Sequence, residues 1–309
     1  MAQISAAQVK ELRERTGAGM MDCKSALTEA AGDFDEAVKI LRKKGLAAAG
    51  KKAGRVTSDG VVAAHIVGSI GILLEVNCET DFVAKTDEFQ DFVKIVASLI
   101  ATSGVKDVES LMKQKYPDDP EGQTVEQVIA TKIGKIGENI SVRRFTNYRA
   151  GDHGLLAHYI HANGKIGVLV ELGAENAAMK PQIESVARDI AMHIAAAEPR
   201  FVTREEVTPK DLETEKEVAR DSALKAGKPE AMIEKIVAGK MEKFYGENVL
   251  GEQAFIKDDK LTVAQYLQKQ ATESDTKLEI RRFSRFKLGE GLQKREDDFA
   301  SEVLAQAGR

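Results

Sequence analysis

Residues 60–76 have the sequence GVVAAHIVGSIGILLEV, and residues 154–172 have the sequence GLLAHYIHANGKIGVLVEL. Each stretch contains two apolar segments separated by a short turn, which is the pattern of a β-hairpin. The second turn includes Asn163 and Gly164. These residue types suit a tight type I′ turn, in which both central residues need positive φ. The repetition indicates two copies of one structural unit.

Two further elements extend the repeat beyond the hairpins. A helical pattern of apolar residues follows each hairpin, at 89–101 and at 183–196. The segment ISVRRF at 140–145 then resembles LEIRRF at 278–283, and we expect a third strand from each. The fold class is therefore α+β, with two homologous units that each contain a three-stranded antiparallel sheet.

The second copy is longer than the first by roughly forty residues between its helix and its last strand, which indicates an insertion. It covers about 203–245, is highly charged, and has apolar residues at helical spacing on both sides of a break at 226–229. We expect an antiparallel helical hairpin. Three roles for it stay open: homodimerisation of the chain, contact with a partner, or shielding of its own apolar seam.

The N-terminal residues predict a three-helix module. Ser5 and Gln8 form a capping box that begins the first helix, and Ile4 is placed to pack on Val9. Glycines or cap residues delimit the helices. We expect the first helix to end at Gly17, the second to run from Met20 to Ala31, and the third to run from Asp33 to about Gly45. A linker over 46–59 follows.

These elements suggest four domains. The chain ends in a charged amphipathic pattern at 294–307, which predicts a C-terminal helix. The expected domains are the three-helix module and linker at 1–54, the first α+β unit at 55–149, the second α+β unit at 150–286, and a C-terminal helical module at 287–309.

Composition excludes several classes of protein. The 309 residues have a formal net charge of -4 with mixed signs throughout, whereas a general binder of nucleic acid or of an anionic membrane has a dominant basic face. No run of about 18 apolar residues predicts a membrane span. The first residues do not resemble a signal sequence, and Cys23 and Cys78 lie in unlike segments. We therefore expect a cytosolic protein without a disulfide framework.

The two copies differ where the first has Thr80, Asp81, Phe82 and Val83. The second copy has Asn-Ala-Ala-Met at 176–179. Because the same unit folds there with two alanines, the difference indicates that Asp81 and Phe82 serve something other than the fold. Thr80 can cap a short helical turn that places both residues facing outward. The alternative is that Phe82 packs under the following helix.

A second candidate surface lies at Met20 and Met21, after the glycine turn 17–19. Adjacent positions on a helix point about 100° apart, so at least one methionine should be exposed. Exposed methionine suits adaptable contacts with another protein. Docking and ordinary packing both stay open on the sequence alone.

No pattern predicts a catalytic centre, a metal site or a bound cofactor. Gly134-Lys135 lacks the other residues of a phosphate-binding loop, and the glycines at 17–19 follow a helix rather than a strand. His158 and His161 are separated by an odd spacing, which sends them to opposite faces of a strand and excludes a metal cluster with His153.

Two motifs resemble those of the bacterial elongation factor Ts family, and the resemblance extends over nearly the whole chain. One is LRERTGAGMMDCKSAL at 12–27, and the other is EVNCETDFVAK at 75–85. Within the second motif, Glu79 is a departure, because the family often has glutamine there.

The resemblance implies a nucleotide-exchange factor that binds elongation factor Tu in its GDP form, expels GDP and allows GTP to bind. By the same resemblance, Phe82 enters a pocket near the switch region of the partner, and the segment Thr80, Asp81, Phe82, Val83 disturbs the partner's Mg²⁺ site. The N-terminal module would be a ubiquitin-associated-like fold that docks through Arg13, Met20 and Met21. His161 would contact another domain of the partner.

A second function class stays open, that of an RNA-binding or ubiquitin-like adaptor. The small N-terminal module, Lys51-Lys52 and the pairs Arg143-Arg144 and Arg281-Arg282 favour it. The overall negative charge argues against it, and so we expect no direct nucleic-acid partner and no membrane partner.

Overall fold

The computed structural model describes residues 4–175 and 180–292. Contacts divide the described chain into two compact units. One contains residues 4–63, 74–145 and 287–292, and the other contains residues 64–73 and 146–286 apart from 176–179. The four domains expected from the sequence stay a prediction.

The N-terminal module consists of α1 (Ala6–Thr16), α2 (Met20–Glu29) and α3 (Phe34–Lys52). The predicted capping box begins α1, and Gly17 ends it with φ of 66°, a conformation that favours glycine. The core is one small cluster of buried side chains: Val9, Leu12, Cys23, Ala26, Leu27, Ala37, Val38 and Ile40.

Helix α3 is longer than predicted. It continues through Gly45 to Lys52, so the linker expected from residue 46 onward begins as helix. The residues after Gly45 are Leu46 and three alanines, which are strong helix formers. Gly45 does not end the helix but lies against a neighbouring helix, where an added Cβ would be 3.4 Å from the carbonyl oxygen of Ala130. The glycine allows close approach of two helices.

The first three-stranded sheet has the order β1–β2–β3, with β1 at Asp59–Val67, β2 at Ile70–Cys78 and β3 at Ile140–Arg149. The central strand β2 is buried from Gly71 to Cys78. Four helices lie between β2 and β3 in the chain: α4 (Asp81–Ala84), α5 (Asp87–Ser103), α6 (Val108–Met112) and α7 (Val125–Ile136). The sequence predicts the sheet and α5, but not α6 or α7.

The second sheet has the order β4–β5–β8, with β4 at Gly154–His161, β5 at Ile166–Ala174 and β8 at Leu278–Lys287. Helix α8 (Lys180–Ala197) packs against β4 and β5. Asn163 and Gly164 have φ of 54° and 88°, as their turn requires. The strands stop at the pair His161 and Ile166, so the loop is wider than the predicted tight turn and also includes Ala162 at φ of 49°.

The insertion is a pair of packed helices, α9 (Pro209–Lys225) and α10 (Glu230–Asn248), with the chain reversing at 226–229 as predicted. Its seam is thin on α9, where Ala219 and Ala223 are the buried residues. The seam on α10 is larger and consists of Ile233, Val237, Met241 and Phe244. The predicted helical hairpin is confirmed.

A small hairpin and one helix, which the sequence does not predict, complete the second unit: β6 (Ala254–Phe255), β7 (Asp258–Thr262) and α11 (Val263–Glu273). Two expectations lie outside the described residues, the C-terminal helix at 294–307 and the conformation of 176–179. Among the helices that the structure describes, none is long and apolar enough to cross a membrane.

Candidate partner-binding site

The segment from Thr80 to Val83 forms the start of a short helix directly after the central strand β2. Thr80 is extended, with φ of -131°, and its hydroxyl oxygen accepts a hydrogen bond from the N–H of Val83 at 3.4 Å. The N–H of Lys85 donates to the carbonyl oxygen of Asp81 at 3.2 Å and closes the helical turn. Thr80 is therefore the N-cap of α4, as the sequence predicts.

Phe82 points away from its own chain, with 79% of its surface exposed. It does not pack under α5, where Phe89 and Phe92 are the buried aromatic residues. Asp81 at the start of the same turn is paired with Lys85 at 2.6 Å. The exposed phenyl ring adds little to the core of its own chain, and it is accessible to another molecule.

A second segment holds the beginning of α4. The carboxylate of Glu138 accepts two hydrogen bonds from Thr80, one from the backbone N–H at 3.0 Å and one from the hydroxyl at 2.7 Å. The neighbouring N–H of Asn139 donates to the carboxylate of Glu79 at 2.7 Å, and Arg55 donates to that carboxylate at 3.3 Å. The charge that Glu79 adds to the motif is thus paired within the chain.

The sequence does not point to Glu138 or Asn139. Each of these hydrogen bonds spans about sixty residues of chain, so no local pattern or spacing relates their partners. A nearby signal is Gly137, which ends α7 with φ of 87°, so that Glu138 is the first residue after the helix end. A helix end of that kind is common and does not predict a contact with α4.

Cys78 lies at the end of β2, immediately before this segment, and is buried. Its thiol donates a hydrogen bond to the carbonyl oxygen of Thr80 at 3.1 Å. Burial raises the pKa of the thiol to about 12, and so the side chain is uncharged at neutral pH. Cys23 is also buried and free, and both cysteines act as packed thiols.

The expected docking residues of the N-terminal module lie on its surface. Met20 and Met21 begin α2 and are 56% and 74% exposed, so that neither belongs to the core formed by the other face of the helix. Arg13 lies on α1 with an exposed side chain. The structure therefore offers all three side chains for contact.

His161 belongs to the second unit, at the end of β4, and is exposed. Its Nδ1 atom lies 3.0 Å from the hydroxyl of Tyr159, and the two rings stack. The hydroxyl group fixes the orientation of the imidazole ring. His161 is thereby a well-oriented surface residue, and its part in partner binding stays a prediction.

Two arginine pairs that favour nucleic-acid binding in the sequence have partners inside the chain. Arg143 and Arg144 donate to the two oxygens of Glu75 at 2.9 and 2.6 Å. The second copy repeats the arrangement, with Arg281 and Arg282 on Glu171 at 3.4 and 2.7 Å. The guanidinium groups compensate buried carboxylates of the same chain. This role accounts for the arginine pairs without RNA binding.

Burial of Glu75 opposes its ionisation, but three donors outweigh the burial. They are the N–H of Gly289 at 2.9 Å and the guanidinium groups of Arg143 and Arg144. Together they hold the pKa of Glu75 below its ordinary value, so the carboxylate is charged at neutral pH.

Comparison with known proteins identifies the kind of protein that has this fold and site. The family model described as Elongation factor TS matches residues 79–290. Proteins called Elongation factor Ts are 49% identical in Trichlorobacter lovleyi and 47% identical in Clostridium perfringens. The first alignment covers 99% of both chains, and the second covers 99% of this chain and 100% of the relative. In Clostridium kluyveri the identity is 47% over 98% of each chain.

The chain is therefore a bacterial-type translation elongation factor. It belongs to the elongation factor Ts family, because the family model covers more than half of its residues and the relatives match it over nearly their full length.

Proposed function

We propose that this chain is a guanine-nucleotide exchange factor for elongation factor Tu. It binds the GDP-loaded partner, disturbs the partner's Mg²⁺ site and phosphate binding, and promotes release of GDP so that GTP can bind. The single observation that supports the site is the exposure of Phe82 on α4, a turn held in place by its own cap and by Glu138. Family membership supports the partner.

The energetics of such a factor follow from linkage. It must bind the nucleotide-free partner more tightly than the loaded partner, and nucleotide then weakens binding of the factor by the same ratio. Each tenfold acceleration of GDP release needs a barrier lower by about 1.4 kcal/mol. Burial of one phenyl ring supplies about 1.5–3 kcal/mol, so Phe82 can account for one or two powers of ten.

Mg²⁺ gives the exposed segment a target that small movements can disturb. The ion requires near-ideal octahedral oxygen ligands, and a displacement of its ligands by a fraction of an ångström weakens the site and with it the diphosphate. In this mechanism Phe82 enters the partner, Asp81 acts beside it, and neither residue has to bind the metal. This mechanism requires no cofactor in the chain itself and no covalent chemistry.

The docking residues have a different role from Phe82. Arg13, Met20 and Met21 contribute contacts that are equal before and during GDP release, and His161 adds a contact from the second unit. Loss of such uniform binding raises the concentration of factor that gives half of the maximal rate and leaves the maximal rate unchanged. Loss of Phe82 lowers the maximal rate.

The decisive experiment measures release of labelled GDP from elongation factor Tu against the concentration of this chain. We expect Phe82→Ala to lower the maximal rate by about tenfold or more, and Asp81→Ala to lower it less. Ile256→Ala is the matched control, since Ile256 is another exposed apolar residue, outside the proposed site. Wild-type rates in Phe82→Ala, with circular dichroism unchanged, would refute the assigned site.

Other parts of the proposal can be tested by separate experiments. The alternative adaptor function predicts salt-sensitive RNA binding, which a filter assay measures directly. Light scattering of the intact chain tests homodimerisation through α9 and α10, and comparison with a Val218→Glu variant tests whether the exposed side chain of Val218 takes part. The four-domain division and the cytoplasmic location belong to the same proposal.

A further inference from the structure

The hydrogen bonds between Glu138 and Thr80 also determine how Thr80 bonds to Val83. Its carboxylate accepts from both the backbone N–H and the hydroxyl of Thr80, and the shorter of the two, at 2.7 Å, is the bond from the hydroxyl. Because the hydroxyl proton points to Glu138, a lone pair of the same oxygen is free to accept from the N–H of Val83. Glu138 therefore orients the cap that begins α4.

A second bond fixes the residue before the cap. The N–H of Asn139 donates to Glu79 at 2.7 Å, while the side-chain amide of Asn139 donates to the carbonyl oxygen of Arg55 at 3.2 Å. Consecutive residues 138 and 139 thus hold consecutive residues 80 and 79. Two anchors on neighbouring residues prevent α4 from turning about the end of β2.

Helix α4 needs such anchors because it has only four residues, and an isolated helix of this length does not form in water. Phe82 contributes little to holding it, since most of its side chain is exposed. The direction of the phenyl ring is consequently set by the backbone of α4, and the start of that backbone is held by Thr80 and Glu138.

We propose that Glu138 is a positioning residue for Phe82, which holds α4 in the orientation that enters the partner. This inference rests on the proposed exchange function for its effect on rate, but not for its effect on the chain itself. Without the carboxylate, α4 opens more often, and Phe82 has to be ordered during each encounter. Since that ordering is completed only when the ring is inserted, the maximal rate of GDP release falls.

The test uses Glu138→Ala in the full chain, with Asp107→Ala as the matched control. Asp107 is the N-cap of α6, another short helix of the same unit, and accepts from the N–H of Ser110 at 2.7 Å. Its loss removes a carboxylate that holds the start of a short helix, at a place with no proposed contact. Glu138→Gln keeps the size of the side chain with one acceptor fewer, and we expect it to lie between the wild type and Glu138→Ala.

Two measurements are made on each variant. Amide hydrogen exchange at 83–85 should be at least about tenfold faster in Glu138→Ala than in the wild type, and unchanged in Asp107→Ala. The maximal rate of labelled-GDP release from elongation factor Tu should fall by about tenfold in Glu138→Ala, the equivalent of about 1.4 kcal/mol, with the thermal unfolding of both variants similar.

The outcomes are distinct. Unchanged amide exchange in Glu138→Ala overturns the inference, whatever the rates are. Faster exchange together with a wild-type maximal rate also overturns it, because α4 would then be anchored without any consequence for Phe82. If the wild-type chain does not accelerate GDP release at all while amide exchange responds as expected, the proposed function fails and the anchoring of α4 by Glu138 stands.

Discussion

The carboxylate of Glu75 lies 2.6 Å from Nε of Arg144, and the equivalent atoms of Glu171 and Arg282 in the second copy lie 2.7 Å apart. Both acids lie on the central strand of a sheet and both arginines on its third strand. A charge in this position is tolerated only with full compensation, which two adjacent arginines supply in each copy. The repeat therefore duplicates an ion-pair arrangement as well as a fold.

We expect Glu75→Ala to lower the free energy of unfolding by about 3 kcal/mol, since it leaves Arg143 and Arg144 without their shared carboxylate. Equilibrium urea unfolding measures the change. The control is Glu109→Ala, which removes an exposed pair with Lys113 at 2.6 Å and should change stability by less than about 0.5 kcal/mol. Equal losses in the two variants would contradict the assigned role of Glu75.

Glu75 also predicts a dependence of stability on pH. Its pKa is lowered in the folded chain, because the Gly289 N–H and the two arginines outweigh the effect of burial. Its contribution is therefore fully present above the unfolded pKa near 4.5, and is lost as the pH falls through the lower folded value. Urea midpoints between pH 6 and pH 3 should fall less steeply in Glu75→Gln than in the wild type. Parallel curves would show that Glu75 does not contribute.

Thr80 and Phe82 can be predicted from the sequence, and for Phe82 the prediction depends on comparison of the two copies. Thr80 carries a cap pattern that the sequence shows directly, and the absence of Asp-Phe from the second copy indicates that Phe82 is not needed for the fold. The observed exposure of Phe82 agrees with that reasoning. Glu138 could not be found in this way, since its contact with Thr80 depends on how distant elements pack.

The length of α3 could not be predicted for a similar reason. A glycine after a helical pattern usually indicates a helix end, and Gly45 has that appearance until α7 is placed beside it. Helix α7 itself had a usable signal, the capping box formed by Thr124 and Gln127. This box predicts a helix that begins at residue 125, but it does not predict the contact of that helix with α3.

The contact at Gly45 gives a third prediction. A side chain at this position meets the backbone of Ala130 and Thr131, so we expect Gly45→Val to lower the stability by about 1–3 kcal/mol through overpacking. Gly50 in the same helix has nothing within 4 Å of an added Cβ, and Gly50→Ala should stabilise the chain by up to about 1 kcal/mol. Thermal unfolding of both variants measures the contrast. A neutral Gly45→Val would mean that α3 and α7 separate at little cost.

The last prediction concerns His193, which is buried on α8. The N–H of Ile256 donates to its Nδ1 at 3.3 Å, so this nitrogen is the acceptor and Nε2 carries the proton that Gln253 accepts at 3.0 Å. Gln253 in turn donates to the carbonyl oxygens of Ala197 and Glu247. The neutral imidazole thus joins α8 to the segment that follows α10, and a second proton would break the bond from Ile256.

Burial lowers the pKa of His193, and the hydrogen bond to Gln253 opposes this only in part. Since the folded chain prefers the neutral form, its stabilising effect is fully present above the unfolded pKa near 6.5 and decreases as the pH falls from there towards the folded value. His193→Gln cannot titrate. We expect it to be less stable than the wild type at pH 7.5 by about 1–3 kcal/mol, and the difference to shrink by pH 5. Urea unfolding at pH 7.5 and at pH 5 measures this difference in stability. An equal difference at the two pH values would show that His193 does not titrate in this window.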